Sequence, residues 1–132
     1  VWVPIATNIV SLRAQYGRDT ASPVRTQAQI DAITPRPVYI VDTYDQTIPT
    51  TACTWTRAPA VRLALVARNS QFNKTTVTTS APEWAGSTSA PIDVSKNPDG
   101  SANANWGNYR YNVFQAVIPL RNVVWIGAQA GC

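Results

Sequence analysis

The sequence predicts a mainly β fold, an antiparallel sheet or a flattened two-sheet sandwich with long loops. Three observations carry that expectation. Apolar and polar residues alternate with a period of two in several stretches. β-Branched and aromatic residues concentrate in those same stretches. The segments between them are rich in Ser, Thr, Asn, Pro and Gly, which favour turns and loops. At 132 residues the chain has room for one domain of ordinary size and not for two. Residues 1–132 are therefore read as a single β-rich domain, with roughly two-thirds of the unfolded surface available for burial.

The first strand is expected at Val10–Tyr16, closed by Gly17. There Val10, Leu12, Ala14 and Tyr16 alternate with Ser11, Arg13 and Gln15, a better match to period two than to a helix through Ile9, Leu12 and Tyr16. Pro37–Asp42 is a second candidate. Ala60–Arg68 gives the strongest pattern, with Val61, Leu63, Leu65 and Ala67 on one face and Arg62, Ala64, Val66 and Arg68 on the other. The first of these faces is expected to be buried, each large aliphatic contributing about 1.5–3 kcal/mol on full burial. Tyr109–Ile118 predicts a fourth strand, and Leu120–Ile126 a fifth beyond Pro119.

Two stretches are irregular. Residues 18–36 offer a helical turn only at Thr26–Ile33. Residues 69–108 have few aliphatic anchors, and a structureless loop of that length is unusual. A short strand at Thr75–Thr79 is expected to interrupt it, with Trp84 and Trp106 pinning it down. Asn97-Pro98-Asp99-Gly100 spells a turn, because Pro presets φ and Gly tolerates the closing conformation. There is no internal repeat and no low-complexity tract.

Composition narrows the chemistry. The chain has no histidine, which removes an imidazole base, a Ser-His-Asp triad and His-ligated metal. Two cysteines are too few for a tetrathiolate zinc site. Asp42 and Asp45 stand three apart, yet calcium needs more oxygen ligands at set spacings, so they read as turn and strand-end carboxylates. With Glu83 the lone glutamate, a glycosidase carboxylate pair is a poor fit. No cofactor or metal is expected, and the chain reads as a non-enzyme. Net charge is +4, from 11 bases and 7 acids. The bases are dispersed, so solvated faces and local ion pairs are favoured over a nucleic-acid surface, and DNA binding is possible but not predicted.

Cys53 and Cys132 can pair or stay free, and the pairing is expected. It would close a loop through the second half of the chain, with a chain-entropy effect of about 4 kcal/mol. Such a bond persists only in an oxidising compartment. No apolar run approaches the ~18 residues of a membrane span. Val1-Trp2-Val3-Pro4-Ile5 has no basic n-region and does not read as a signal peptide, so the chain is expected to be a processed product or a fragment. Most aromatic residues are expected in the core, with Trp84 and Trp106 the accessible ones and a possible interaction surface. Asn73-Lys74-Thr75 fits a glycosylation sequon, which matters only in a eukaryotic secretory setting.

Three segments together carry a family resemblance. The first is Ile9-Val10-Ser11-Leu12-Arg13-Ala14-Gln15-Tyr16-Gly17-Arg18-Asp19. The second is Trp55 followed by Ala60-Val61-Arg62-Leu63-Ala64-Leu65-Val66-Ala67-Arg68-Asn69. The third is Tyr109-Arg110-Tyr111 leading into Val117-Ile118-Pro119-Leu120-Arg121-Asn122-Val123-Val124-Trp125. In this order they resemble the C-terminal portion of PilW-type minor pilins of bacterial type IV pili. A weaker version of the order occurs in type II secretion pseudopilins.

The resemblance implies an α+β pilin-like protein when a long N-terminal hydrophobic helix, absent from this chain, is counted. It implies a non-enzymatic subunit that joins other minor pilins, tip-associated pilus proteins and the major pilin to prime assembly at or near the tip. Membrane contact would come only through that helix. The place would be the inner membrane and periplasm before assembly and the cell-surface pilus afterwards, with adhesion and twitching motility as the processes served. The resemblance implies a metal-loop-like stretch after the Tyr-Gly-x-Asp segment, as in many members. Here Asp19 is followed by Thr20-Ala21-Ser22-Pro23, which argues against calcium there. Arg121 and Asn122 follow Pro119 and are expected at a structural corner, with Arg121 forking to carbonyls or a carboxylate. A different class of function, a secreted or periplasmic binding module for carbohydrate or DNA using exposed Trp and Arg, is the alternative.

Overall fold

The period-two pattern of the first segment becomes strand β1, Ile9–Arg18. A computed structural model describes residues 6–20, 24–35, 38–97 and 99–132. Helix α1 (Gln27–Asp31), strand β2 (Thr43–Asp45), helix α2 (Ala52–Thr56) and strand β3 (Ala60–Arg68) follow. A 3-10 turn at Trp106–Asn108, strand β4 (Tyr111–Pro119) and helix α3 (Arg121–Ile126) complete the order. The strands form one open antiparallel sheet, ordered β2-β1-β3-β4. The direction shows in the bonds. Asn69 N–H donates to Arg110 O at one end of the β3–β4 pair, and Leu120 N–H donates to Pro59 O at the other.

The chain divides into two compact units, Val1–Arg13 with Leu63–Ala116, and Ala14–Arg62 with Val117–Cys132. In the first, Ala64 and Val66 of β3 pack with Trp84, Ala90, Ile92 and Val94, and Trp106, Tyr111 and Val113 close around them. The Ser/Thr/Asn-rich stretch is thus anchored by its few apolar residues. Its backbone is also tied down, Val77 and Thr78 N–H both donating to Gly107 O. A Cβ on Gly107 would lie 3.0 Å from Thr78 O, so the close approach requires glycine. The strand expected at Thr75–Thr79 does not form. That segment is extended but bonds to a single carbonyl and one Tyr109 oxygen rather than to a neighbouring strand.

In the second unit, β2 pairs with the end of β1 in the register Tyr16↔Asp45, Gly17↔Tyr44 and Arg18↔Thr43. Gly17 is needed here too, because an added Cβ would meet the Tyr44 ring at 2.8 Å and Val41 at 3.1 Å. The second strand therefore lies beyond the expected Pro37–Asp42, of which Pro37 falls outside the described residues. Val38–Asp42 makes one backbone bond to β1, Asp42 N–H to Arg18 O, and is otherwise held by side chains: Ile40 N–H donates to Asp19 Oδ2, and Thr20 donates to Asp42. Tyr39 turns inward to a small core with Ile30 and Ala128. The helical turn expected at Thr26–Ile33 is α1. Thr26 and Thr51 cap α1 and α2 with reciprocal capping boxes, satisfying N-terminal N–H groups that helices this short would otherwise leave open.

The fifth strand is not formed; Arg121–Ile126 is helical. Leu120 N–H donates to Pro59 O just after β4, and beyond α3 Gly131 N–H donates to Arg25 O. From there the tail returns to place Cys132 against Cys53, with Cα atoms 5.1 Å apart. Six helical residues advance about 9 Å, whereas six extended ones would advance about 20 Å. Gly127, at φ 69°, ends the helix and turns the tail back.

Candidate interaction surface

The sheet faces are the reverse of the expectation. On β3 the buried residues are Ala60, Ala64 and Val66, while Val61, Leu63 and Leu65 are only half-buried. On β1 the apolar row is the outer one: Leu12 is 59% exposed and Gln15 only 1%. The cause is residue size. Ala64 leaves room for the 84–94 segment to settle onto one face, so Trp84, Ile92 and Val94 cover Ala64 and Val66.

In the first unit the uncovered row therefore consists of Val10 and Leu12 of β1, Leu63 and Leu65 of β3, and Phe114 and Ala116 of β4. Alternation along each strand puts them on one side, and Phe114 is 61% exposed. A contiguous apolar patch of this kind marks a surface that another element covers. Along the second unit the alternation continues with Ala14, Tyr16 and Val61. There the Tyr16 ring meets Trp55 edge-on, centroids 5.6 Å apart.

The covered row carries polar residues that find partners. Arg62 donates to Gln15 Oε1 through Nε (3.1 Å) and Nη2 (2.6 Å), and its guanidinium lies 4.2 Å over the Tyr44 ring. On the opposite side of β1, the side of Leu12 and Tyr16, Arg18 forks onto Asp45, the cross-strand partner of Tyr16, through Nε and Nη2. This Arg18 contact, above all else, holds the Asp45 carboxyl below the usual aspartate range; Thr47 N–H adds to it, and partial burial opposes it. Asp19 is buried, accepts from Ile40 N–H at 3.0 Å and faces Arg57 Nη2 at 3.8 Å. Its backbone is clasped as well, since Arg57 Nε donates to Asp19 O and Asp19 N–H donates to Arg57 O, each at 2.9 Å. Asp19 thus braces the β1 end. Asp42 and Asp45 do not converge on a common site: the first receives Thr20 and the second Arg18.

Cys53 and Cys132 are joined as a disulfide. Trp84 and Trp106 are brought together, but in the core of the first unit and not on a surface. Trp84 is 6% exposed and donates its indole N–H to Ala90 O at 2.7 Å; Trp106 is half-buried against the same cluster. The loop has few aliphatic residues, so its indoles supply much of the burial. The Arg121 clamp is absent. Arg121 and Asn122 are both exposed on α3, and among the described residues the Arg121 guanidinium makes no hydrogen bond or ion pair. The corner is held by the Leu120–Pro59 backbone bond alone. Sequence reasoning missed Trp125, placed inside a strand by its β-branched neighbours and 77% exposed on α3. Among the described residues no helix is long and apolar enough to cross a membrane.

No curated protein and no solved structure matches the chain. A family model does, and it spans residues 2–122, which takes in the first two of the segments that carry the resemblance and the third as far as Asn122. The chain belongs to the type IV pilus-assembly protein W (PilW) family.

Proposed function

We propose that this member of a pilus-assembly family is the head of a non-enzymatic minor pilin. It joins other minor pilins and the major pilin, primes pilus growth at or near the tip, and passes from the inner membrane and periplasm to the cell-surface pilus. One observation carries the reading: the apolar row of Val10, Leu12, Leu63, Leu65, Phe114 and Ala116, uncovered on strands whose other face is packed. A sheet buries one face against its own chain and needs a second layer for an equally apolar opposite face. In a pilin-like subunit the hydrophobic helix ahead of the domain supplies that layer. The chemistry agrees with action through contact, because the chain has no histidine and its two cysteines are bonded to each other.

The test is piliation in cells whose full-length protein carries Phe114→Asp or Leu12→Asp. Sheared surface pili should fall to the level of a deletion strain. The 132-residue chain with the same change should keep its unfolding midpoint, since exposed substitutions usually stay within about 0.5 kcal/mol. Normal pilus numbers would overturn the reading.

A further inference from the structure

The first unit contains a cleft of about 300 Å³ between the start of β1, the end of β3 and the 94–103 segment. Arg68 lines it, and its side chain is unusual. The guanidinium lies 4.4 Å over the Tyr109 ring, so one of its faces is covered and bonding is left to its edge. On that edge the Nε–H is buried and has no hydrogen-bond partner. Among the described residues no carboxylate pairs with this arginine. A buried donor on a charged group is costly to leave open, and such exceptions mark places where something else binds.

The rest of the cleft says what that would be. Lys96 is a second cation in the wall, held only loosely by Asp93 at 3.9 Å, while the Asp93 carboxylate is itself taken up by Ser95. Each asparagine amide gives one N–H within its own loop, Asn97 to Ser101 Oγ and Asn103 to Val94 O. Arg68 and Lys96 are the charged donors in the wall. Ile9 and Val94 make the neighbouring wall apolar, and among the described residues no acidic group lines the cleft. A guanidinium edge offers Nε–H and Nη–H in parallel, the spacing of a carboxylate's two oxygens.

We infer that this cleft is a binding site for a carboxylate carried on a short apolar stem, with Arg68 as the fork, Lys96 as the supporting charge and Ile9 and Val94 as the seat of the stem. Val10 of the apolar sheet row also borders the cleft, but the test of the site does not depend on piliation.

The experiment is a titration of the 15N-labelled 132-residue chain with sodium butyrate, following the Arg68 Nε–H resonance. Ionic strength is matched with sodium chloride. Butyrate should move that resonance downfield and saturably at millimolar concentration, and 1-butanol and chloride should not. Arg68→Met keeps an apolar stem over Tyr109 and should abolish binding, read on the backbone amides of residues 94–97. Lys96 is largely exposed, so Lys96→Gln leaves the fold intact and should weaken binding roughly threefold, as for a solvent-screened charge. An equal response to chloride or butanol would overturn the inference. So would inorganic phosphate binding as tightly as butyrate, because the apolar seat would then play no part. Unchanged butyrate affinity in Lys96→Gln would also overturn it, even if Arg68→Met failed to fold.

Discussion

Trp84 and Trp125 exchange the places that sequence pattern assigns them, and two alanine substitutions measure that exchange. Burying a tryptophan removes about 150–250 Å² from water, worth about 4–6 kcal/mol at 25 cal/mol per Å². Trp84 is 6% exposed, so nearly all of this applies, and truncation also leaves the Ala90 carbonyl without the indole donor. Large-to-small substitutions of buried aromatics typically cost about 3–5 kcal/mol, and Trp84→Ala should fall at the upper end. Trp125 is 77% exposed. Only about a quarter of the same area is at stake, which bounds Trp125→Ala at about 1 kcal/mol. The assay is urea unfolding followed by far-ultraviolet circular dichroism with the disulfide intact, comparing midpoints at a common slope. Trp84→Phe serves as the milder variant, losing the hydrogen bond and part of the volume. Equal costs for Trp84→Ala and Trp125→Ala, or the reverse order, would refute the placement of Trp84 in the core of the first unit.

Two further outcomes follow from the second unit. The Cys53–Cys132 bond spans 79 residues, so replacing both cysteines with serine should lower stability by about 4–5 kcal/mol in the chain-entropy account. A reductant should shift the unmodified chain by the same amount and leave the double variant unmoved; a shift in the double variant would contradict this. The Asp45 carboxyl, held low by Arg18, has a folded pKa below its unfolded value of 3.8. Its contribution is complete above that value and disappears as pH falls through the lower folded one. Asp45→Asn should therefore flatten the acid limb of the stability curve below about pH 4 while changing stability at neutral pH by at most about 1 kcal/mol, the pair being partly solvated. Parallel acid limbs for the two proteins would refute it.

Strand positions were legible where one pattern had no competitor. β1, β3 and β4 lie where alternation puts them, because period two over nine or ten residues fits no other regular structure. Inside and outside were not legible on β3, since both of its rows are apolar and the alternation is silent about which one a loop will cover. In the first unit residue size decided it, Ala64 admitting Trp84 and Ile92 onto the row that also carries Arg68. The arginines tolerate that face because each finds a ring at its end of the strand, Tyr44 for Arg62 and Tyr109 for Arg68. On α3 the β-branched pair Val123-Val124 favoured a strand, and the competing demand came from far away in sequence, from the need to bring Cys132 back to Cys53. β2 was displaced by a side chain distant in sequence, as the Asp19 carboxylate claims the Ile40 N–H that a ladder through Val38–Asp42 would need.

These errors share a direction, and it bears on function. Pattern reading assumes that the apolar row of a strand is the buried one, and on β1 that assumption fails over its whole length. Val10 and Leu12 stand out while Gln15 is enclosed and bonded to Arg62. A free-standing domain has no reason to hold its polar row inward at the cost of desolvating an amide and a guanidinium. A domain whose outer row is reserved for another element does have one. The inverted strand thus counts as evidence separate from the exposure of Phe114: the inner row is polar where it must still satisfy itself, and the outer row is apolar where it awaits a cover.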